Sequence, residues 1–420
     1  MNAEIIAIGS ELLTPHRTDT NSLFLTEQLN GIGVDVVYKT IVGDDRSRLT
    51  ETIALAWNRS PIVITIGGLG PTEDDLTREC AAQALGKSLR QDPSLAESIE
   101  ARFRARGMRM PEINLRQAMH IDGAAILDNS KGTAPGQWIE ENSRALMLLP
   151  GPPRELQPMF LESCLPRLRG IIPKAAIAKR VLRIVGLTES AAEQIVAPIY
   201  TKYANPVTTI LAAPGEVQLH LKSFGDSQAA AEALVNELAP QLEQALGESV
   251  FSTDGASLEE VVGRALAAQQ ASLAVAESCT GGLLAERITS VSGSSAYFLG
   301  GVVCYSNTWK SDWLDVPPEL IEAQGAVSSP VAEALAAGIR RRSGATYGVG
   351  ITGIAGPGGG TPEKPVGLVY IALAGPHDSV VLEKRCYGER EIVRWQATQA
   401  ALDMLRRTLA REKQSSGSQA

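Results

Sequence analysis

The feature that most constrains the fold is an alternation of short apolar runs with amphipathic segments along the first 170 residues. The apolar runs are rich in β-branched side chains and are predicted to be strands. They are residues 3–9, 34–43 and 61–68. Continuous apolar strands separated by amphipathic helices predict a parallel sheet that is covered by helices on both faces. Ligands of such sheets bind outside the carboxyl ends of the strands, so the loops that follow these runs are the first candidates for a site.

Two further units and a short tail follow this first unit. Residues 171–253 have the pattern of a strand, a helix, two strands and a helix, which predicts a small α+β domain. Residues 254–412 contain a strand at 272–277 that runs into a glycine-rich turn, and they predict a third, α/β domain. Residues 413–420 are rich in Ser, Gln and Gly and are predicted to be disordered. The predicted boundaries therefore divide the chain into residues 1–170, 171–253, 254–412 and 413–420.

Composition argues against several classes of protein. The 39 basic and 47 acidic side chains give a formal charge of −8, so a basic nucleic-acid-binding stripe is not the dominant feature. No apolar stretch is long enough to span a membrane, and residues 1–9 lack the basic segment of a secretory signal. The five cysteines are scattered and never in CxxC spacing, which favours reduced thiols and a cytoplasmic location.

The loop at residues 67–75, with the sequence Gly-Gly-Leu-Gly-Pro-Thr-Glu-Asp-Asp, leaves a predicted strand and precedes a helix. Glycines let backbone N–H groups approach a phosphate closely, and the start of a helix adds a positive dipole end. The carboxylates of Asp74 and Asp75 suit a divalent cation that is shared with phosphate oxygens. The alternative is a tight turn whose acidic residues merely favour the helix dipole.

Two more rigid loops, at residues 131–136 and 149–155, follow apolar runs in the same unit. Together with the first loop they predict one nucleotide or pterin pocket. Glu11, Asp19 and Asp44 lie at other predicted strand ends and could add ligands, although each carboxylate alone is more often solvated or a helix cap.

Residues 9–13, 19–22, 67–75 and 149–153 resemble the molybdopterin-binding fold and, more closely, the amino-terminal domain of the competence/damage-inducible protein CinA family. This resemblance implies an ADP-ribose pyrophosphatase that releases AMP and ribose 5-phosphate. It implies a divalent metal (Mg²⁺, Mn²⁺ or Co²⁺), together with K⁺. The implied metal ligands are Glu11, Asp19, Asp74 and Asp75, and the implied substrate contacts are Gly68, Gly70, Thr72, Gly151 and Pro152. One departure is the segment Thr-Pro-His-Arg at residues 14–17, where the family often has a glycine-containing stretch.

In the third unit, residues 276–282 place a small nucleophile at the end of a strand, beside two glycines. Such a turn supplies backbone N–H groups that can hold an oxyanion. Ser278 needs a base, and Lys310 is the candidate because a desolvated lysine can accept the proton of a serine. Cys279 is the rival nucleophile, but a thiol in alanine-rich surroundings is more often a packing residue.

A second glycine-rich loop, at residues 356–360, follows a predicted strand that contains Thr352. Further along, Arg390 and Arg394 have i, i+4 spacing at the start of a helix and therefore lie one above the other. Two such guanidinium groups suit a phosphate. The alternative is an ordinary pair of surface charges.

These motifs resemble the carboxy-terminal CinA domain, which is similar to nicotinamide mononucleotide deamidase. The resemblance covers nearly the whole third unit, at residues 276–282, 293–298, 300–307, 325–328, 352–360, 364–367 and 388–397. It implies that Ser278 is the nucleophile and Lys310 its base, with Tyr305 and Thr352 as neighbours. The residues expected to contact the substrate are Thr280, Gly281, Gly282, Arg390 and Arg394. This reaction implies no cofactor.

The middle unit resembles the family's KH-like segment, but Gly215-Glu216 is not a basic GxxG loop, and no RNA binding is inferred from it. The expected fold is therefore α/β. It comprises a molybdopterin-binding-like three-layer parallel sheet, a small α+β KH-like domain and an α/β amidohydrolase domain. The expected partners are nicotinamide mononucleotide, ADP-ribose and a second copy of the chain, with no membrane or nucleic acid. Two alternatives stay open: a pterin-binding first domain, and a non-catalytic scaffold that acts with DNA-uptake or recombination proteins.

Overall fold

The computed structural model of the chain describes residues 1–172 and 176–417. The chain divides into two compact units, Met1–Ile177 and Ala178–Ala420. Among the described residues, no helix has the length and apolar character needed to cross a membrane. Each unit is built on its own sheets.

The first unit contains a six-stranded sheet of order β2-β1-β3-β8-β7-β6 and a separate antiparallel pair, β4-β5. The strands are β1 (Asn2–Ile8), β2 (Asp35–Val42), β3 (Ile62–Ile66), β4 (Leu89–Gln91), β5 (Met119–Ile121), β6 (Ala125–Leu127), β7 (Gly136–Glu141) and β8 (Arg144–Leu149). Strands β2, β1, β3 and β8 are parallel, as predicted, but β7 and β6 run antiparallel. The sheet is therefore mixed, because Asn142 and Ser143, both with positive φ, close a two-residue hairpin between β7 and β8.

Helices cover both faces of this sheet, which confirms the layered arrangement. They are α1 (Asn21–Gly31), α2 (Arg46–Arg59), α3 (Thr77–Ala84), α4 (Pro93–Ala105), α5 (Pro153–Met159) and α6 (Leu165–Ile171). Adjacent residues of β1 face opposite layers: Ile5 packs with Leu25 of α1, and Ile6 packs with Leu49 of α2. The continuous apolar run of β1 is thus explained by burial on two faces.

The second unit begins with the predicted α+β region. Its elements are β9 (Ala176–Val185), α7 (Glu189–Tyr200), β10 (Val207–Ala213), β11 (Glu216–Gly225), α8 (Gln228–Leu246) and β12 (Val250–Ser252). The strands form a four-stranded sheet of order β10-β11-β9-β12. Helix α8 begins at Gln228 because the Ser227 side chain accepts a hydrogen bond from Ala230 N and caps the helix.

The rest of the second unit is a five-stranded sheet with helices on both faces. Its elements are α9 (Leu258–Ala268), β13 (Leu273–Glu277), α10 (Leu283–Thr289), β14 (Phe298–Val303), α11 (Asn307–Leu314), α12 (Pro318–Gln324), α13 (Ser329–Ser343), β15 (Tyr347–Gly353), β16 (Leu368–Ala374), β17 (Ser379–Arg385) and α14 (Arg390–Gly417). The strand order is β14-β13-β15-β16-β17, with the first three strands parallel and the last two antiparallel. Helix α14 continues past Lys413, where a disordered tail was predicted, and residues 418–420 lie outside the described residues.

Candidate functional site

The carboxyl ends of β14, β13 and β15 meet at one edge of the sheet, and Ser278 lies at that edge. Glu277, the last residue of β13, is in register with Val303 of β14 and Ile351 of β15. Beyond that register, Ser278 N donates to Ile351 O at 3.0 Å. On the other side, Cys304 N donates to Glu277 O at 2.9 Å. Ser278 is only 8% exposed. It lies between Cys304, which follows β14, and Thr352, near the end of β15.

The turn after Ser278 depends on two glycines. Gly281 and Gly282 have φ values of 60° and 92°, a left-handed conformation that costs little only for glycine. The turn is closed by a hydrogen bond of 3.1 Å from Gly281 N to Ser278 O. The predicted Gly-Gly pair is thus required by the backbone that presents the serine.

Lys310 of α11 is buried beside this turn, with 1% of its surface exposed. Its Nζ donates to Cys304 O at 2.9 Å and to Tyr305 O at 3.2 Å. Burial lowers the pKa of Lys310, although the thiols of Cys304 and Cys279 partly oppose this shift. A neutral amine has two N–H bonds and one lone pair, so the neutral form of Lys310 would direct both N–H bonds at these carbonyls and keep its lone pair to accept a proton.

The two arginines of α14 bind the loops of the site and are not a simple pair of surface charges. Arg394 donates from Nε and Nη2 to Thr280 O, at 3.0 and 2.7 Å. Arg390 donates to Gly356 O at 2.7 Å and to the Tyr305 hydroxyl at 3.2 Å. The first turns of α14 therefore join the nucleophile turn, Tyr305 and the glycine-rich loop.

Thr352 holds a neighbouring loop. Its hydroxyl donates to Ala326 O at 2.8 Å, and the threonine is 1% exposed. Lys364, for which the sequence analysis predicted no role, holds the same loop by donating to Gln324 O and Val327 O, both at 2.7 Å. Thr352 thus has two relations to the site. It holds the loop that contains Ala326, and it comes directly after Ile351, whose carbonyl accepts from Ser278 N.

Cys279 is disfavoured as a nucleophile. Burial raises the pKa of its thiol to about 12, so the reactive thiolate is scarce near neutral pH. All five cysteines are free and buried, as expected for reduced thiols.

In the first unit, a cleft of about 460 Å³ lies at the carboxyl ends of the parallel strands. Eight residues predicted for a site line it: Glu11, Asp44, Gly68, Gly70, Asp74, Asp75, Gly151 and Pro152. Residues of both other predicted loops also line it, including Lys131, Gly132, Thr133, Arg154 and Glu155. The three glycine-rich loops therefore form one cleft.

Two predicted residues, Thr72 and Asp19, act from outside the cleft lining. Thr72 donates from its backbone N at 2.9 Å and from its hydroxyl at 2.5 Å to Asp75 Oδ2, so it orients a lining carboxylate. Asp19 accepts hydrogen bonds from the backbone N and hydroxyl of Ser22 and caps α1. Both oxygens of Asp19 therefore face the start of α1 and Asp19 does not line the cleft, while its role as a metal ligand stays a prediction.

The carboxylates do not form a closed metal cage. Within residues 1–172 and 176–417, no three His, Cys, Asp or Glu side chains are grouped closely enough to hold an ion. Asp44 lines the cleft but accepts a hydrogen bond of 2.8 Å from Ser10 N. Mg²⁺ commonly takes only one or two protein carboxylates and completes its shell with water and substrate phosphates. The lining carboxylates fit that mode of binding and not an all-protein site.

A buried cation lies under the glycine-rich loop of this cleft. Arg78 is 2% exposed and donates to Leu69 O at 2.7 Å, while its Nε has no hydrogen-bond partner among the described residues. Burial lowers the pKa of Arg78 to about 10, so the group stays protonated at neutral pH. This positive charge favours an anion above the loop.

Arg106 and Gln117, for which the sequence predicted no role, also line the cleft. They come from the end of α4 and from a 3₁₀ turn, far from every glycine-rich loop, and no local motif marks them. The sequence likewise predicted no role for Asn129, whose Oδ1 accepts from Lys131 N at 3.1 Å and from Gly132 N at 2.8 Å. That contact is a local Asx turn, which the spacing of Asn129 and Gly132 could have indicated.

The sheets and their loops define a three-domain α/β protein with two separate candidate sites for small polar molecules. Family models match all three regions: "Probable molybdopterin binding domain" at residues 4–170, "Damage-inducible protein CinA KH domain" at 179–252 and "CinA C-terminal domain" at 255–409. The chain belongs to the CinA family, which confirms the predicted resemblance.

Relatives match almost the full chain. A "CinA-like protein" of Koribacter versatilis is 56% identical over 97% of this chain and 100% of its own length. A "Putative competence-damage inducible protein" of Moorella thermoacetica is 46% identical over 97% of this chain and 99% of its own. Among solved structures, competence/damage inducible protein CihA from Agrobacterium tumefaciens is 40% identical, covering 37% of this chain and 97% of that one, with a TM-score of 0.35.

Proposed function

We propose that the carboxy-terminal domain is an amidohydrolase that converts nicotinamide mononucleotide and water to nicotinic acid mononucleotide and ammonia. The observation that carries this proposal is that Ser278, at the end of a buried strand, and Lys310 lie at the same sheet edge: Lys310 Nζ donates to Cys304 O, and Cys304 N donates to the carbonyl of Glu277, the residue before Ser278. The lysine is buried and its Nζ donates to two carbonyls, so its neutral form would keep a lone pair to accept the serine proton. A serine beside a neutral lysine is a known form of activated nucleophile.

The chemistry follows from these groups. Ser278 Oγ adds to the carboxamide carbon, its proton passes to Lys310 Nζ, and the carbonyl oxygen becomes an oxyanion. Collapse of this intermediate breaks the C–N bond, and the proton on Lys310 leaves with ammonia. Water then adds to the ester, again giving its proton to Lys310, and collapse returns that proton to Ser278 Oγ as nicotinic acid mononucleotide is released.

The arginines of α14 suit the phosphate of such a substrate. Arg394 uses two N–H donors on Thr280 O, and Arg390 uses two on Gly356 O and the Tyr305 hydroxyl. Each guanidinium group has further N–H donors besides these two. The other donors have no partner among the described residues and are available to an anion, while the loop contacts hold the guanidinium planes in place.

The test is the release of ammonia and nicotinic acid mononucleotide from nicotinamide mononucleotide by the purified full chain, with Ser278→Ala alongside. We expect turnover by the wild type alone. Equal turnover by both proteins would contradict the assignment of Ser278. The absence of turnover in both would leave this domain as a binding module.

We propose a second activity, the cleavage of ADP-ribose to AMP and ribose 5-phosphate, for the amino-terminal cleft. Three glycine-rich loops, the buried Arg78 and the lining residues Lys131 and Arg154 together favour a diphosphate. Glu11, Asp74 and Asp75 would hold a divalent metal together with the phosphate oxygens, and the metal would neutralise charge on the diphosphate.

A pterin is the competing ligand for this cleft, since the family model of the region is described as molybdopterin binding. Release of AMP from ADP-ribose in the presence of Mg²⁺, Mn²⁺ or Co²⁺ would support the proposed activity. Pterin binding without AMP release would contradict it.

A DNA mobility-shift assay at physiological salt tests the scaffold alternative, and the charge of −8 predicts no shift.

A further inference from the structure

Glu277 is a fully buried carboxylate next to the proposed nucleophile, and it has no role in the reaction steps proposed above. Its side chain has 0% exposure. Oε2 accepts hydrogen bonds from Gly282 N at 3.1 Å and Leu284 N at 3.0 Å, and Oε1 accepts one from Ala285 N at 2.8 Å. Such charge-assisted bonds to backbone N–H groups offset the cost of burying the carboxylate.

These bonds decide which N–H groups of the turn remain available. Gly281 N donates to Ser278 O and Leu283 N donates to Thr280 O, at 3.1 and 3.3 Å. In the described part of the chain, the backbone N–H groups of Cys279 and Thr280 have no acceptor. The Thr280 hydroxyl is likewise buried without a hydrogen-bond partner there. Unused donors are therefore concentrated in the two residues that directly follow Ser278.

We propose that Glu277 is a positioning residue for deamidation, because it fixes the turn so that the N–H groups of Cys279 and Thr280 form the oxyanion hole. The inference rests on the proposed amidohydrolase function. Glu277 draws three N–H groups to itself, and Arg394 holds the Thr280 carbonyl. The peptide groups on both sides of the hole are thereby fixed before the substrate binds, which is the condition for effective stabilisation of an oxyanion.

The experiment uses the isosteric substitution Glu277→Gln. A glutamine amide has one acceptor oxygen and an NH₂ group that can only donate. At least one of the three N–H groups would then face a donor and the turn would shift, while Arg390, which is held by Gly356 O and the Tyr305 hydroxyl, stays in place to bind the phosphate. Glu286→Gln on α10 is the matched control, since Glu286 is exposed and its carboxylate has no hydrogen bond or ion pair to the turn among the described residues.

The measurement compares the affinity for an analogue of the transition state with the affinity for the reaction product. An analogue of nicotinamide mononucleotide with an aldehyde in place of the carboxamide forms a hemiacetal with Ser278. In that adduct a bond forms between Oγ and the aldehyde carbon, the serine proton passes to Lys310, and the carbonyl oxygen becomes an oxyanion. The product, nicotinic acid mononucleotide, forms no such adduct. Comparing the two affinities therefore isolates the oxyanion hole.

We expect Glu277→Gln to lower kcat by about 100-fold, with KM for nicotinamide mononucleotide nearly unchanged. The affinity for the aldehyde should fall by a similar factor, while that for nicotinic acid mononucleotide stays at the wild-type value. Wild-type kcat in the variant would overturn the inference, and so would an equal loss of both affinities. Glu286→Gln should match the wild type throughout.

If Glu277→Gln does not fold, as judged by circular dichroism and thermal unfolding, Glu277→Asp takes its place. Aspartate keeps the charge but is too short to reach Leu284 N and Ala285 N together, so the same split between the two affinities is expected. Wild-type kcat in this variant would overturn the inference. A wild-type protein that releases no ammonia would instead show that the proposed function itself is wrong, and the inference would fail with it.

Discussion

The two candidate sites of this protein are built in opposite ways. At the carboxy-terminal site the reacting groups are buried: Ser278 and Lys310 are 8% and 1% exposed, and neighbouring backbone groups hold them. At the amino-terminal cleft Glu11 and Asp74 are exposed, and no closed ligand set is present among the described residues.

The difference follows from the substrates that we propose. A neutral carboxamide brings no charge of its own, so the protein must supply an activated nucleophile and oriented donors before the substrate arrives. A diphosphate carries its own negative charge and shares a metal ion with the protein, so the cleft needs only loops that admit phosphate and a few carboxylates. The first site is therefore assembled by folding, and the second is completed by its ligand.

The largest effect that would sharpen this comparison is expected from Ser278→Ala. Loss of a nucleophile that acts with its base should lower deamidation by at least about 1000-fold. Cleavage of ADP-ribose should stay at the wild-type rate. Both rates are measured on the same preparation, by ammonia release and by AMP release. A parallel fall in the two activities would show that the sites are coupled or that the fold is damaged.

Lys310→Arg tests whether the buried amine works as a base. Arginine keeps the charge but does not give up its proton, so deamidation should fall by about 100-fold or more. In the wild type, kcat/KM should rise with pH as Lys310 becomes neutral. Because burial lowers the pKa of Lys310, this rise should lie below the range of a free lysine. A wild-type pH profile that is retained by the variant would exclude Lys310 as the base.

Asp75→Ala should affect only the open cleft. The change removes a lining carboxylate and frees Thr72, so the metal-dependent cleavage of ADP-ribose should fall by about 10- to 100-fold. Chelation of divalent ions should abolish the same activity and leave deamidation unchanged. Asp45→Ala is the control, because Asp45 caps α2 and does not line the cleft. Equal losses in the two variants would argue against a local role for Asp75.

The smallest effect is expected from Asp19→Ala. Loss of the cap on α1 should lower the free energy of unfolding by about 1 kcal/mol, which denaturant titration measures. Cleavage of ADP-ribose should fall less than it does in Asp75→Ala. A larger loss of activity than in Asp75→Ala would support the predicted metal-binding role of Asp19.

Much of the architecture follows from local patterns. The predicted apolar runs at residues 3–9, 34–43 and 61–68 agree closely with the bounds of β1, β2 and β3 in the structure. The antiparallel strands β6 and β7 were not predicted, because the direction of a strand depends on a hairpin at Asn142 and Ser143 that carries no glycine. Positive φ at such residues is uncommon and leaves a weak signal in the sequence.

Each candidate site likewise has features that the sequence predicts and features that only the tertiary structure decides. Some features of the carboxy-terminal site are local motifs: Ser278, the glycines at 281 and 282, and the two arginines at helical spacing. The sequence by itself determined these motifs and, through them, the family. Only the tertiary structure decided that Lys310 meets the carbonyls of Cys304 and Tyr305 and that Arg106 and Gln117 reach the cleft. It also decided that Asp19 faces a helix start and that Glu277 gathers three N–H groups. The physical reason is that a motif sets the conformation of its own turn, whereas burial, pKa and hydrogen-bond partners depend on distant segments that the sheet brings together.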